Sequence, residues 1–364
     1  MGGGRSPFDK LRMSGGSRGY STSVRWAIML PMAEKTGGRY LVVHADADAG
    51  GDYGEERTWV ESVGAEFRLT NAHEEEALVA NLRDADVVLV SAAPITRRVM
   101  EAMPRCRCVV RYGVGVDNVE VAAATDLGVV VANVVDFCTE EVANHALLLL
   151  LACAKRLLPL DADLHAGHWR RTTLAGMPPV WGQTLGIIGL GNIGRSLARK
   201  ALALQMTLLG YDPYVQQPPD GVRLVGLREL LAESDFVSIC APLTTETRHL
   251  IGASELASMK PGAILINTAR GPLVDEAALV EALRSGRIAA AGLDVFEEEP
   301  LPAKSPLLGL ANVVLTPHTA GISEASVRRV KMEVGQAAAA VLSGRWPKSV
   351  VNPNVRPRVA LTGG

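Results

Sequence analysis

From about residue 40 onward, short runs of valine, isoleucine and leucine alternate with longer segments whose apolar residues recur at helical spacing. The runs YLVVHA (40–45), VVLVSA (87–92), CVVRYG (108–113) and VVVANV (129–134) form a first block of expected strands. A second block contains TLGIIGL (184–190), TLLGYD (207–212), FVSICA (236–241), AILINT (263–268), AAGLDV (290–295) and VVLTPH (313–318). Strands that alternate with helices in this way make parallel sheets, because each return to the same edge needs a crossover. The pattern predicts an α/β fold with two doubly wound parallel-sheet domains. Between the blocks, EEVANHALLLLLACAKRLL (140–158) is apolar around most of its circumference. A single helix here has to be covered on more than one side, in the core or at a subunit interface. Glu140 and Glu141 at its start and Lys155 and Arg156 at its end suit a helix dipole.

The second block opens on GIIGLGNIG, which sets Gly189, Gly191 and Gly194 in G-x-G-x-x-G spacing around Asn192 and Ile193. The spacing alone is weak, since glycine turns recur by chance. Its context is stronger: a β-rich run leads in, and Ile193, Leu197, Ala201 and Leu204 mark one face of a helix leading out. Such a turn lets a pyrophosphate approach the free N–H groups of the helix start. Asp212 ends the next strand, 18 residues beyond Gly194, with Pro213 after it. A carboxylate at that place accepts from both ribose hydroxyls and repels a 2′-phosphate. The segment YDPYVQQ offers no arginine to receive one. NAD is therefore expected over NADP. Ligands of an open parallel sheet lie outside the carboxyl ends of its strands. The ends that follow carry Cys240, Ala241 and Pro242, with Thr247 just beyond, then Thr268, Ala269 and Arg270, then Asp294 and His318.

That rim holds the parts that hydride transfer to or from a nicotinamide asks of a protein. His318 is the natural acid/base, being the one histidine of this block at a strand end. Arg270 supplies a planar fork that matches a carboxylate. A glutamate beside the histidine would favour the imidazolium and fix its tautomer. GLDVFEEEP offers Glu297, Glu298 and Glu299 for that place, and the residues alone leave the choice open.

The stretches LGIIGLGNIGRSLARKALALQM, MKPGAILINTARGPLVDEAALVEAL (259–283) and GLDVFEEEP…LTPHTAG resemble the D-isomer-specific 2-hydroxyacid dehydrogenases, and the likeness runs from about residue 40 to 352. The family pattern D-V-F-x-x-E-P implies Glu299, counted between Asp294 and Pro300, as the functional carboxylate. The resemblance implies a catalytic set of Arg270, Glu299 and His318, and a contact between Asp294 and the nicotinamide carboxamide. RYGVGVDNVE (111–120) is similar to the family's substrate loop, which implies that backbone N–H groups around Val114 and Gly115, with Arg111 nearby, receive the carboxylate of a small 2-oxo or 2-hydroxy acid. Two glycines flanking Val114 also fit a backbone nest for an anion. RYGVGVDN and DFCTEEVANHALLLLLACAKRL look closest to the C-terminal-binding-protein-like branch, whereas PHTAG resembles phosphoglycerate dehydrogenases. The branch's frequent tryptophan after the histidine motif is replaced here by PHTAGIS. The family arrangement implies a Rossmann NAD domain (133–318) inserted into a flavodoxin-like substrate domain (24–132 and 319–352), with a tail at 353–364 and a cleft that closes on substrate. D-3-phosphoglycerate dehydrogenase is an alternative, although little chain follows residue 352 for a regulatory domain. An NAD-sensing, corepressor-like scaffold is the alternative of another class, and it would have no need of a proton-transfer pair. Formate dehydrogenases are expected to carry glutamine at the place of Glu299.

Composition narrows the remaining choices. With 48% hydrophobic residues the chain can bury a large core. Lys+Arg 37 against Asp+Glu 39 gives a net charge of −2, and only 4% of residues are aromatic, so neither a nucleic acid nor an anionic membrane is an expected partner. Five cysteines without a CxxC pair read as thiols of a reducing compartment. The expected location is cytoplasmic, or organellar if residues 1–23, read as a leader outside the fold, are a transit peptide. His165 and His168 lack partners at metal-ligand spacing and read as loop residues, so no metal is expected. A homodimer using 140–158 completes the reading.

Overall fold

In the computed structural model, residues 39–169 and 177–363 are described. The expected leader lies outside them. Among the described residues, two all-parallel sheets account for every strand. The first contains β1 (Leu41–His44), β2 (Glu66–Leu69), β3 (Val87–Val90), β4 (Cys108–Arg111) and β5 (Val130–Ala132), in the order β2-β1-β3-β4-β5. Its crossovers are α1 (Gly54–Ser62), α2 (Glu75–Leu82), α3 (Arg97–Glu101) and α4 (Val121–Asp126). The central strands β1 and β3 are buried throughout, which explains why they read as unbroken apolar runs.

Two helices follow, α5 (Thr139–Ala154) and α6 (Leu157–His165). The single helix expected over 140–158 is therefore broken. Arg156 takes a left-handed conformation with φ 49°, and Pro159 falls in the first turn of α6. A proline there is tolerated at a helix start, whereas continuing α5 would drive its ring into the carbonyl of residue 155. Arg156 thus marks the break rather than the end of one dipole. Ala143, Ala146, Leu149, Leu150 and Cys153 bury the inner face of α5 against the second sheet. Each buried leucine contributes about 1.5–3 kcal/mol of transfer free energy. An added methyl at Gly292 would lie 2.8 Å from Leu149 Cβ, so this glycine lets the helix settle close on the sheet.

The second sheet is made of β6 (Thr184–Ile188), β7 (Thr207–Tyr211), β8 (Val222–Leu224), β9 (Phe236–Ile239), β10 (Ala263–Asn267), β11 (Ile288–Leu293) and β12 (Val313–Leu315), in the order β12-β11-β10-β9-β6-β7-β8. The helices α7 (Asn192–Ala203), α8 (Leu227–Glu233), α9 (Ala253–Ser258) and α10 (Glu276–Arg284) connect its strands. Strand order reverses between β6 and β9, and a crevice at such a switch point is where a nucleotide fits. The last helix, α11 (Glu324–Leu342), returns to pack on α1, β3 and β4 of the first sheet. Two strands were not foreseen: β2 and β8 are outer strands whose EFRL and VRL alternate too little apolar surface to be read as runs.

Candidate functional site

The turn after β6 divides three tasks among its glycines. Gly189 has φ 94°, and an added Cβ would sit 2.7 Å from the backbone nitrogen of Ala241, so the turn lies against the end of β9. A Cβ at Gly194 would overlap the carbonyl oxygen of Gly189, which brings the start of α7 down onto the turn. Gly191 is different: nothing lies within 4 Å of the place its Cβ would take. The open side of the turn thus faces free space at the N-terminus of a helix of 12 residues, a cradle for a pyrophosphate. Asn192 donates through Nδ2 to Asp136, which ties the 133–138 segment to the same helix start. Ile193 packs against Cys138, Val142 and Ala320.

Asp212 is held on both sides: its Oδ2 accepts from the Leu190 N–H at 2.9 Å and its Oδ1 from the Tyr214 N–H at 2.9 Å. Pro213 beside it is exposed. Arg195, in the first turn of α7, reaches the carbonyl of Gln217 at 3.4 Å. A guanidinium therefore does stand over the segment after Asp212, supplied by the helix rather than by YDPYVQQ itself. Beyond β9, Cys240 is a free thiol that burial pushes up to about 12, so it stays neutral. Ala241 is half-buried, and the Pro242 carbonyl accepts from Thr247 Oγ1 at 2.8 Å, which pins that loop. After β10, the Thr268 hydroxyl is buried with no hydrogen-bond partner among the described residues. Ala269 N–H donates to Asn267 Oδ1 at 3.0 Å, and Asn267 Nδ2 donates to the Arg270 carbonyl at 2.8 Å. Asn267 shapes the turn that presents Arg270, a role that the sequence reading missed.

His318 Nδ1 lies 2.7 Å from Glu299 Oε2. The other carboxylate oxygen, Oε1, accepts from the Phe296 N–H at 3.0 Å. Burial pushes this carboxyl up, but the bonds from His318 and Phe296 and the charges of His318 and Arg270 outweigh it and hold the group below its usual range. Of the other two glutamates, Glu297 pairs with His249 Nε2, and Glu298 is exposed. The structure therefore joins His318 to the carboxylate immediately before Pro300. With Nδ1 occupied, Nε2 is the ring nitrogen left to face a substrate.

The backbone of His318 has φ 53°, an uncommon value for a residue with a side chain. Asp294 holds it there. The Asp294 carbonyl accepts from His318 N at 2.8 Å, while its fully buried carboxylate accepts from Thr316 Oγ1 (2.6 Å), Thr319 N (2.9 Å) and Ala320 N (2.8 Å). His145 of α5 completes the latch, with Nε2 2.9 Å from Thr316 Oγ1. The sequence reading faced Asp294 toward the nicotinamide; the structure engages both its oxygens in holding the turn that carries His318.

The turn after β4 meets this rim from the first sheet. Arg270 Nε donates to Asp117 Oδ1 at 2.9 Å, and Nη1 donates to the Ala269 carbonyl at 2.7 Å. Its Nη2 occupies the place of a Cβ at Gly115, and Nη1 of Arg111 occupies the place of a Cβ at Gly113. The two arginines thus lie against the two glycines that flank Val114, which itself is exposed. Arg111 Nε is buried without a partner among the described residues. Burial, and then the Arg270 charge, push the Arg111 guanidinium down to about 10. Asp117, absent from the sequence reading, is the carboxylate that links the two sheets here. His165 and His168, by contrast, approach different carboxylates, Asp161 at 3.6 Å and Asp163 at 3.8 Å, outside this cleft.

Comparison with known proteins addresses the family. Residues 147–320 match the model of the D-isomer specific 2-hydroxyacid dehydrogenase NAD binding domain. A glyoxylate reductase of Korarchaeum cryptofilum is 42% identical over 287 residues, which cover 77% of this chain and 86% of that protein. The chain belongs to the D-isomer-specific 2-hydroxyacid dehydrogenase family. A D-3-phosphoglycerate dehydrogenase of Methanocaldococcus jannaschii is also 42% identical, over 302 residues that are 81% of this chain and 57% of that one. The chain thus spans a little over half the length of such curated relatives. Among solved structures, D-lactate dehydrogenase from Aquifex aeolicus complexed with NAD and lactic acid has a TM-score of 0.79 at 27% identity, covering 86% of this chain and 99% of that one. The second sheet is accordingly the NAD-binding domain of a D-isomer-specific 2-hydroxyacid dehydrogenase, and the open cradle at Gly191 and the tethered Asp212 fit that cofactor.

Proposed function

We propose that this chain catalyses reversible hydride transfer between NADH and a small 2-oxo acid, forming the D-2-hydroxy acid. The observation that carries the reading is the His318–Glu299 pair at 2.7 Å on the rim that also presents Arg270. When bound, the nicotinamide donates or accepts the hydride at the substrate's second carbon. In reduction, protonated His318 gives its Nε2 proton to the carbonyl oxygen, and Glu299 stabilises the imidazolium before transfer. Arg270 and the N–H groups of the 113–115 loop hold the 1-carboxylate, which turns the carbonyl toward His318. The set of Gly189 to Gly194, Asp212, Pro213, Cys240 to Pro242, Thr247, Thr268 and Ala269 is the cofactor wall. The two sheets read as a substrate domain, completed by α11, and an inserted nucleotide domain.

The reading favours an unphosphorylated substrate of the glyoxylate, pyruvate or hydroxypyruvate type, with 3-phosphoglycerate chemistry second. A phosphate needs further cations, and Arg97 and Arg98 are already engaged: Arg97 pairs with Asp126 at 2.6 Å, and Arg98 with Glu75 and Glu76 at 2.8 Å. NADH oxidation with a panel of 2-oxo acids tests this. Hydroxypyruvate should equal or exceed 3-phosphohydroxypyruvate in kcat/KM at matched ionic strength. An advantage above about 10²-fold for the phosphate ester, roughly 2.7 kcal/mol of transition-state binding, would reverse the ranking.

Asp212 should make NADH much the better cofactor, because its carboxylate would meet a 2′-phosphate. Replacing it by alanine should narrow the preference, since it removes a hydrogen-bond acceptor for one cofactor and a repulsion for the other. Equal use of both cofactors by the unaltered protein would remove Asp212 from this role.

The assembly supported best is a homodimer. Leu148 of α5 and Leu157, Leu158 and Leu164 of α6 are each about half exposed, at 54, 51, 48 and 57%, and such grouped apolar surface on neighbouring helices marks an interface. Light scattering at micromolar concentration should give the dimer mass; a monomer would reject it. All five cysteines are free, which agrees with a cytoplasmic location. Among the described residues, no helix is long and apolar enough to cross a membrane.

A further inference from the structure

The charges around the 111–117 turn are not all used by the roles above. Arg111 and Arg270 both point their Nη atoms onto it, against Gly113 and Gly115. Two guanidiniums on one short turn repel each other and demand anions. One is already present: Asp117 accepts from Arg270 Nε at 2.9 Å. Among the other nearby groups, only Asp46 adds a charge that Arg111 feels, and it does not touch the turn. Asp46 turns its carboxylate onto the N–H groups of Ser91, Ala92 and Ala93 at 2.6–2.9 Å. The Cys138 thiol, raised to about 11 chiefly by burial, is neutral. Glu299 is turned to His318 at 2.7 Å rather than to the turn.

We infer that Asp117 sets the charge selectivity of the substrate site: by pairing with Arg270 it takes one unit of positive charge from the two guanidiniums on the turn, and so favours a substrate bearing one carboxylate while disfavouring dianionic 2-oxo acids. The inference rests on the 2-oxo acid reading proposed above. Geometry adds a second effect of the same residue. With Nε committed to Asp117 and Nη1 to the Ala269 carbonyl, Arg270 presents its Nη2 edge, along Gly115, to an incoming carboxylate. Burial pushes the Asp117 carboxyl up, yet the Arg270 charge and bond, helped by Arg111, carry it below its usual range, so it is ionised whenever the two arginines need it.

Asp117→Asn keeps the shape and removes the charge; Asp117→Glu keeps the charge. The ratio of kcat/KM for oxaloacetate, a dianion, to that for hydroxypyruvate, a monoanion, is measured for both variants at matched ionic strength. Calorimetric affinities of malonate and oxamate for the enzyme–NADH complex read the same ratio without turnover. One added net positive charge at ~6 Å in an effective dielectric of ~40 predicts that Asp117→Asn raises the dianion-to-monoanion ratio about tenfold in both measurements. Asp117→Glu should hold it within about threefold of the unaltered protein. A uniform loss for both anions with an unchanged ratio, the outcome of a merely structural tie, overturns the inference, as does the same rise in Asp117→Glu. If the unaltered protein reduces no 2-oxo acid, the functional reading fails, and the malonate-to-oxamate ratio still decides the role of Asp117.

Discussion

Replacing His318 by alanine is expected to lower kcat by roughly 10²–10⁴-fold, the range a positioned acid/base group contributes, while NADH binding stays nearly intact. The separation follows from the geometry. His318 stands on the turn after β12, whereas the glycine cradle and Asp212 follow β6 and β7. Stopped-flow turnover and NADH fluorescence titration would measure the two properties separately, and unchanged turnover would exclude His318 from proton transfer. The partner carboxylate gives this result a pH signature. Reduction needs the imidazolium, so its rate falls as pH rises. Glu299→Gln removes the carboxylate that holds Nδ1 and should lower kcat while NADH binding stays nearly intact. At the acid end the sign is opposite: the Glu299 carboxyl titrates below its ordinary range, so its contribution to stability is complete above the ordinary carboxylate range and is lost as pH falls through the lowered value.

The second large effect is expected at Arg270. Arg270→Lys should cost roughly 10²–10³-fold in kcat/KM, because two charged hydrogen bonds at about 1.5–3 kcal/mol each cannot both be remade by a point charge. A guanidinium can donate to Asp117 from Nε, to the Ala269 carbonyl from Nη1 and to a substrate from Nη2 at once. An ammonium on a flexible stem cannot keep that orientation. KM should rise together with the fall in kcat, because the same fork binds the carboxylate and aims the carbonyl. Steady-state kinetics across a substrate panel would show it, and a lysine variant within fivefold of the unaltered protein would show that orientation by Arg270 is unimportant.

The sequence revealed most where its residues obey one strong constraint. The inner strands are buried on both faces, so their apolar runs could be read directly; β2 and β8, at the sheet edges, carry Glu66, Arg68 and Arg223 and had no such run to show. The break between α5 and α6 was written in Pro159 but overridden by the apolar pattern around it. The partner of His318 came from the resemblance to the family pattern D-V-F-x-x-E-P, counted between Asp294 and Pro300; three adjacent glutamates in one turn gave no local reason to choose among them. Asp117 could not be found in this way. Its contact with Arg270 spans 153 residues and joins two different sheets, and local pattern carries no information about such a meeting. The same holds for His145, whose tie to Thr316 bridges 171 residues.

The crowding around the 111–117 turn also bears on how substrate range can change over generations. Gly113 and Gly115 each have a guanidinium where any side chain would have to go, and Gly113 also has φ 120°. Gly113 is held to glycine by its backbone, whereas a side chain at Gly115 would have to push the end of Arg270 off the turn. Val114, between them, projects outward, and its carbonyl is anchored by Asn133 Nδ2 at 2.7 Å. A drifting lineage can therefore vary the side chain at 114 without displacing an arginine, on a backbone anchored by Asn133.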